Sequence, residues 1–127
     1  MERIVHPISP LYNKDSKLLI LGSFPSVKSR EGEFFYHHPQ NRFWKVISLV
    51  FEEPLPITIE QKRNLLINHG IAVWDVIQSC EITGSADSSI KNVIPNDLSV
   101  ILNTADIRRI FTNGGTATRL YKKYINR

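Results

Sequence analysis

The stretch EFFYHHPQNRFWKVI, residues 33–47, crowds Tyr36, His37, His38, Asn41 and Arg42 against the start of an aromatic helix. Side chains of these types suit two chemistries, ligation of a metal ion or the holding of a flat polar ring. The metal option fails on its donors: adjacent histidine side chains diverge, and no cysteine or carboxylate completes a set. For a ring, Tyr36 beside two histidines offers a stacking surface, although the same tyrosine could simply plug its loop onto the core. Asn41, two residues after Pro39, could cap the helix or orient a water molecule while Arg42 meets a phosphate. Local chemistry leaves both pairs of readings open.

Two further places carry reactive or permissive residues. GSFPS, Gly22 to Ser26, puts a glycine directly after an apolar run, where the missing Cβ lets backbone approach a ligand. It lacks the lysine and spacing of a phosphate-cradling loop, and no Gly-x-Ser-x-Gly makes it a nucleophile elbow. Asp75 lies toward the end of a second apolar run, IAVWDVI, as a candidate base or as an anchor for the next loop. Glu81 and Asp87 read as surface residues. The lone Cys80 makes neither an internal disulfide nor a metal cluster.

The elements that must position these residues follow from periodicity. Leu18 to Leu21 reads as a buried parallel strand closed by Gly22, with a long loop over roughly 22 to 40 after it. In NRFWKVISLVF, the residues Phe43, Ile47, Val50 and Phe51 mark one apolar helical face, and Pro54 and Pro56 end the helix. TIEQKRNLLINHG opens on Thr58 and Gln61, spaced as a capping box, and stops at Gly70. IAVWDVI is the second strand, followed by a polar loop from Gln78 to Asn92 and a helix from Asn96 or Asp97 to Asn103. IRRIFTNGG is the third strand and TATRLYKKYI the last helix. Strands alternating with helices predict an α/β layered domain with a mainly parallel sheet. Ligands in such sheets sit beyond the carboxyl ends of the strands, so the loops after Leu21, Ile77 and Thr112 are the places to look.

Composition limits the classes. The 127 residues, 42% hydrophobic and 22% charged, are those of one ordinary globular domain, 1–127. No apolar run reaches the ~18 residues of a membrane span, and MERIVHPISP has no signal-peptide core, so the expectation is a cytoplasmic protein with no membrane role. A net charge of +4 permits nucleic-acid binding without demanding it. After Asp106 there is no acidic residue, while Arg108, Arg109, Arg119, Lys122, Lys123 and Arg127 are basic. A solvated helix face is the simplest account of that run.

Four strings taken in order, LLILGSFPS, FFYHHPQNRFWKVI, GIAVWDVIQSCEITGSADSSIKNVIPNDL and IFTNGGTA, resemble the uracil DNA glycosylase superfamily. The resemblance is to its hypoxanthine (deoxyinosine) DNA glycosylase branch and covers roughly residues 15 to 120. The string from His38 to Trp44 is shared with the mismatch-specific uracil and thymine glycosylases. GSFPS stands where those relatives have Gly-x-Asn-Pro-Gly, so Phe24 occupies the place of their water-positioning asparagine. The resemblance implies a three-layer α/β/α sandwich with a short, mainly parallel sheet and a flipped base at its carboxyl end. It implies that Asn41 holds the attacking water and that Tyr36 stacks on the base. Gly22, Ser23 and Phe24 would line the base pocket with His38, and Ser26 and Arg42 would meet the DNA backbone.

The implied reaction is hydrolysis of the N-glycosidic bond of a deaminated base, with hypoxanthine the leading candidate, to leave an abasic site for repair. It needs no cofactor and no metal, and its partner is single- or double-stranded DNA carrying the damaged base. The protein is expected to act as a monomer. Rotating a nucleotide out of the duplex costs a few kcal/mol, least for a mispaired base. The string from His38 to Trp44 contains no lysine to form a Schiff base, so no strand nicking is expected. Family members continue past TATRLYKKYI to a further strand and a Pro/Ser-rich loop that wedges into the minor groove. This sequence stops at Arg127, and the expectation is a chain without that second motif, its third strand left as an exposed edge. A catalytically silent DNA-binding member is the alternative. A small-molecule hydrolase is disfavoured by the absence of a nucleophile triad.

Overall fold

Leu18 to Leu21 is apolar at every position, as a strand covered on both faces requires, and β2 (Leu18–Gly22) runs through the middle of the molecule. The computed structural model describes residues 3–32, 34–36 and 42–125. β2 pairs in parallel with β3 (Ile71–Asp75) on one side and with β6 (Arg109–Thr112) on the other. Alternate residues of this sheet feed two separate cores. Leu19, Leu21 and Ala72 pack with Ile101 of α4 (Ser99–Leu102) and Leu120 of α5 (Gly115–Tyr124). Ile71 and Val73 pack on the other face with Trp44 of α2 (Phe43–Val50) and with Leu65 and Leu66 of α3 (Ile59–Asn68). Helices therefore cover both faces, giving the α/β/α sandwich.

Several boundaries differ from the sequence expectation, each for a local reason. IAVWDVI is not one strand: it breaks at Val76, and β4 (Ile77–Glu81) runs on into a second sheet. The break is held by the buried side chain of Asn96, whose amide donates to the carbonyls of Asp75 (2.8 Å) and Ile77 (3.2 Å). β4 pairs antiparallel with β1 (Arg3–Val5) and β5 (Lys91–Pro95). The segment read as a polar loop from Gln78 to Asn92 thus contains most of one strand and the start of another. Its true loop is the turn around Asp87–Ser89.

Asn96 is spent on that break, so the following helix is confined to Ser99–Leu102 rather than starting at Asn96 or Asp97. The long loop after Gly22 also holds a short helix, α1 (Val27–Gly32), which Ser26 caps by accepting the Ser29 N–H at 3.2 Å. On α2 it is Trp44 and Ser48 that are buried, with Phe43, Ile47 and Phe51 flanking. Val50, expected on the buried face, is 66% exposed.

Elsewhere the local signals hold. Thr58 and Gln61 form the capping box that starts α3, and Gly70 ends it in the left-handed region at φ 71°. β6 pairs only with β2 among the described residues. Among those residues no helix is long and apolar enough to cross a membrane.

Candidate active site

In the parallel register Gly22 stands directly beside Asp75, at the carboxyl ends of β2 and β3. The ladder continues past the strands: Val76 N–H donates to Gly22 O (2.8 Å) and Ile77 N–H to Ser23 O (3.1 Å). From β6, Asn113 N–H donates to Leu21 O (2.8 Å). Three loops are thereby tied to one another, and they enclose a cavity of about 160 Å³. Gly22, Ser23 and Phe24 form one wall, Tyr36 and Phe35 another, and Asp75 and Asn113 complete it. Pockets for drug-sized ligands start at ~300 Å³; this one suits a single flat heterocycle.

The carboxylate in that cavity is held from behind. His6 follows β1, whose pairing with β4 sets its position, and its own N–H donates to Gln78 O at 2.7 Å. Its ring nitrogen Nδ1 accepts the Ile8 backbone N–H at 3.2 Å. An accepting Nδ1 carries no proton, so the hydrogen sits on Nε2, which donates to Asp75 Oδ2 at 2.7 Å. Both side chains are almost wholly buried, at 2% and 5% exposure. The other oxygen, Oδ1, lies over Gly22 so closely that a Cβ there would approach it to 2.4 Å. Only glycine permits this approach.

Tyr36 is the second unusual group. Its φ of 51° puts a non-glycine aromatic in the left-handed region, a cost that persists only where surroundings enforce it. Trp44 Nε1–H donates to its carbonyl at 3.0 Å, and Phe43 stacks on its ring at 4.0 Å and 17°. The hydroxyl is driven inward, 3.3 Å from where a Gly22 Cβ would stand. It is buried without a hydrogen-bond partner among the described residues. Burial, and then the Asp75 carboxylate, push its pKa well above the ordinary tyrosine range. The Asn113 side chain opposes this slightly from nearby, outside hydrogen-bond geometry. Tyr36 is therefore a neutral phenol with an unused O–H.

Of the residues singled out in the sequence, Gly22, Ser23, Phe24, Tyr36 and Ser26 line this one cavity. Ser26 is also engaged as the cap of α1. Arg42 is exposed at the N-cap position of α2 and makes no side-chain cap bond. His38 and Asn41, with His37, lie outside the described residues. Asp75, read as base or anchor, is in the wall of the cavity itself. His6 and Asn96 were not anticipated: nothing in a lone His6, 69 residues from Asp75, signals the pairing. Asn113 belongs to a loop that was flagged, though not as the residue lining the cavity. A larger hollow of about 350 Å³ lies between residues 53–57 and α3, but the buried, unpartnered polar atom is in the smaller one. No cluster of three or more metal-ligating side chains occurs among the described residues.

Fold and site define an α/β sandwich with a small cavity at the carboxyl ends of its parallel sheet. Residues 9–127 match the model of the uracil DNA glycosylase superfamily. The chain is 33% identical over 107 residues to a hypoxanthine DNA glycosylase of Methanosarcina acetivorans and 29% identical to one of Methanosarcina barkeri. Each match covers 83% of this chain and 68% of the relative. A solution NMR structure of a candidate uracil DNA glycosylase from Methanosarcina acetivorans superimposes with a TM-score of 0.81 at 28% identity. That likeness covers 94% of this chain and 76% of the other. The chain belongs to the uracil DNA glycosylase superfamily, and its class of activity is that of a DNA glycosylase.

Proposed function

We propose that the protein hydrolyses the N-glycosidic bond of a flipped, deaminated base, with hypoxanthine in deoxyinosine as the preferred target, and leaves an abasic site. The observation that carries this reading is the 160 Å³ cavity beside Gly22, with a buried carboxylate and a buried phenol in its walls. A base stacked in a duplex cannot enter such a cavity, so the nucleotide is rotated out first. The names borne by the two Methanosarcina relatives support hypoxanthine as the base.

Cleavage builds positive charge on the sugar and negative charge on the departing base. Backbone N–H donors beside that base favour its departure, a part we assign to the Gly22–Phe24 turn that lines the cavity. Asn41 holds the water whose oxygen bonds to the sugar carbon as the base leaves with the electron pair of the broken bond. Of the described residues on either side of it, Tyr36 accepts from Trp44 Nε1–H through its carbonyl and Arg42 immediately precedes α2. No lysine lines the cavity among the described residues, so the reaction stops at the abasic site without cutting the strand.

The test is base release from matched oligonucleotides containing deoxyinosine, deoxyuridine or deoxyxanthosine, with alkaline cleavage of the abasic product. Release from deoxyinosine above the other two is the expected result. Release from none would replace this reading with a catalytically silent, DNA-binding member of the superfamily.

A further inference from the structure

Two buried groups take no part in the proposed hydrolysis, the Asp75 carboxylate with its His6 support and the Tyr36 hydroxyl. They converge on one point. A Cβ at Gly22 would lie 2.4 Å from Asp75 Oδ1 and 3.3 Å from the Tyr36 oxygen, and both residues line the cavity. One is a hydrogen-bond acceptor and the other a donor with nothing to donate to among the described residues. Folding leaves a buried hydroxyl unsatisfied only at a cost, and in native proteins each such group calls for an explanation.

We infer that Asp75 and the edge of Tyr36 form a paired reader that selects bases carrying an adjacent ring N–H and C=O. Asp75 Oδ1 accepts the ring N–H, and the Tyr36 O–H donates to the neighbouring carbonyl oxygen. Deamination of adenine or cytosine creates this lactam edge; the parent bases present a ring nitrogen acceptor and an amino donor instead. Against such a parent base the carboxylate faces a lone pair and the phenol faces N–H. Rejection then follows from buried groups left unpaired, which discriminates far more strongly than a missing methylene does. The inference rests on the base-releasing reading and deepens it, because it names the substrate feature by which the pocket chooses.

The support from His6 gives the inference its direction. The Ile8 N–H fixes the tautomer so that Nε2–H must find an acceptor on residue 75. Oδ2 meets that need, which turns Oδ1 toward Gly22. His6 is a positioning residue. A carboxylate beside the base works against the negative charge that develops as the base departs. Its role is therefore selection at binding rather than acceleration, and Tyr36 contributes its hydroxyl edge rather than the face of its ring.

The decisive variant is Asp75→Asn. With His6 still donating, the amide oxygen of the new side chain turns to Nε2 and its N–H₂ turns into the cavity, so the acceptor becomes a donor. Two measurements are made on wild type, Asp75→Asn, Tyr36→Phe and His6→Gln, each checked for folding by circular dichroism. The first is kcat and KM for release from deoxyinosine and deoxyadenosine oligonucleotides. The second is NMR titration with free hypoxanthine and free adenine, which needs no catalysis. Asp75→Asn is expected to lower the preference for deoxyinosine by on the order of 100-fold, mainly through KM. It should also reverse the order of free-base affinities. Tyr36→Phe, which keeps the ring, should lower the preference by roughly 10-fold, and His6→Gln, whose amide still donates, should largely retain it.

Equal losses on both substrates with the preference intact would overturn the inference, placing Asp75 on the sugar or the water. An unchanged preference in Tyr36→Phe would return that residue to stacking. Where no base is released but the free-base order holds in wild type and reverses in Asp75→Asn, the glycosylase reading fails and the reader stands. Wild type that binds neither free base nor discriminates in release overturns it.

Discussion

Two loops lead into neighbouring helices, and they meet the same physical demand in opposite ways. At the start of α3 every orphan donor that the junction satisfies is satisfied locally. Gln61 N–H donates to Thr58 Oγ1 at 3.0 Å, while Gln61 Oε1 accepts from Thr58 (3.1 Å) and Ile57 (2.8 Å). At the start of α2 the N-cap residue, Arg42, makes no side-chain cap bond. A left-handed tyrosine, its hydroxyl unpaired among the described residues, stands six residues before it. What holds that junction is remote: the Trp44 indole on Tyr36 O, Phe43 against the ring, and Gly22 below. A junction that only has to be stable uses its nearest neighbours. One that breaks local rules and is supported from elsewhere in the fold is a candidate for strain that serves binding.

The contrast can be broken most sharply at Asn41. Replacing it by Ala should reduce base release by on the order of 10²–10⁴-fold if it holds the water, with the melting temperature nearly unchanged. A mutant that folds and releases base at the wild-type rate removes the catalytic role from this junction. Gly22→Ala comes next. Its Cβ meets Asp75 Oδ1 at 2.4 Å, and because His6 holds the carboxylate, relief must come from displacing a buried pair. A loss of about 1–3 kcal/mol of stability, together with loss of the base preference, is expected in denaturant titration and release assays. Intact preference would mean that Asp75 need not sit where it does.

At the other junction, Thr58→Ala should cost about 1 kcal/mol and leave base release untouched. An activity loss there would erase the distinction between the two loops. The smallest effect is the most telling in sign. Tyr36→Phe removes a buried hydroxyl that has no partner among the described residues, so the unliganded protein should be as stable as wild type or more so, by up to about 1 kcal/mol.

Alkaline pH tests the same group. A phenol whose folded pKa is raised above the usual 10.0 contributes stability that is complete below that value and lost as pH rises past it. Tyr36→Phe should therefore move the alkaline unfolding midpoint upward. A midpoint that stays put would show that the hydroxyl is not held neutral by folding.

Legibility in the sequence followed the range of the interaction. The capping box at Thr58, the glycine stop at Gly70 and the all-apolar run of β2 are settled within a few residues, and each was readable. The Gln78–Asn92 segment was not, because IQSCE and KNVIP carry no clean alternation. Their strand character comes from pairing with one another and with β1. Val50 was misplaced because the rotation of α2 is set by Trp44 packing on Phe34 (5.9 Å, 13°), a contact that periodicity does not contain. Of the site, Gly22, Phe24, Tyr36 and the ambiguity of Asp75 were visible, since each is odd for its place in the chain. His6 was invisible because its meaning lies in a residue 69 positions away.

The layered α/β arrangement and the loops at the carboxyl ends of its strands were legible in residue order alone. These depend on apolar period and on turn residues, which act over a few residues at a time. Only the folded chain shows that Gly22 and Asp75 share a register, that His6 backs the carboxylate, and that the Tyr36 hydroxyl faces inward without a partner among the described residues. Those facts are set by strand pairing and burial, in which the energy of one residue depends on others far along the chain.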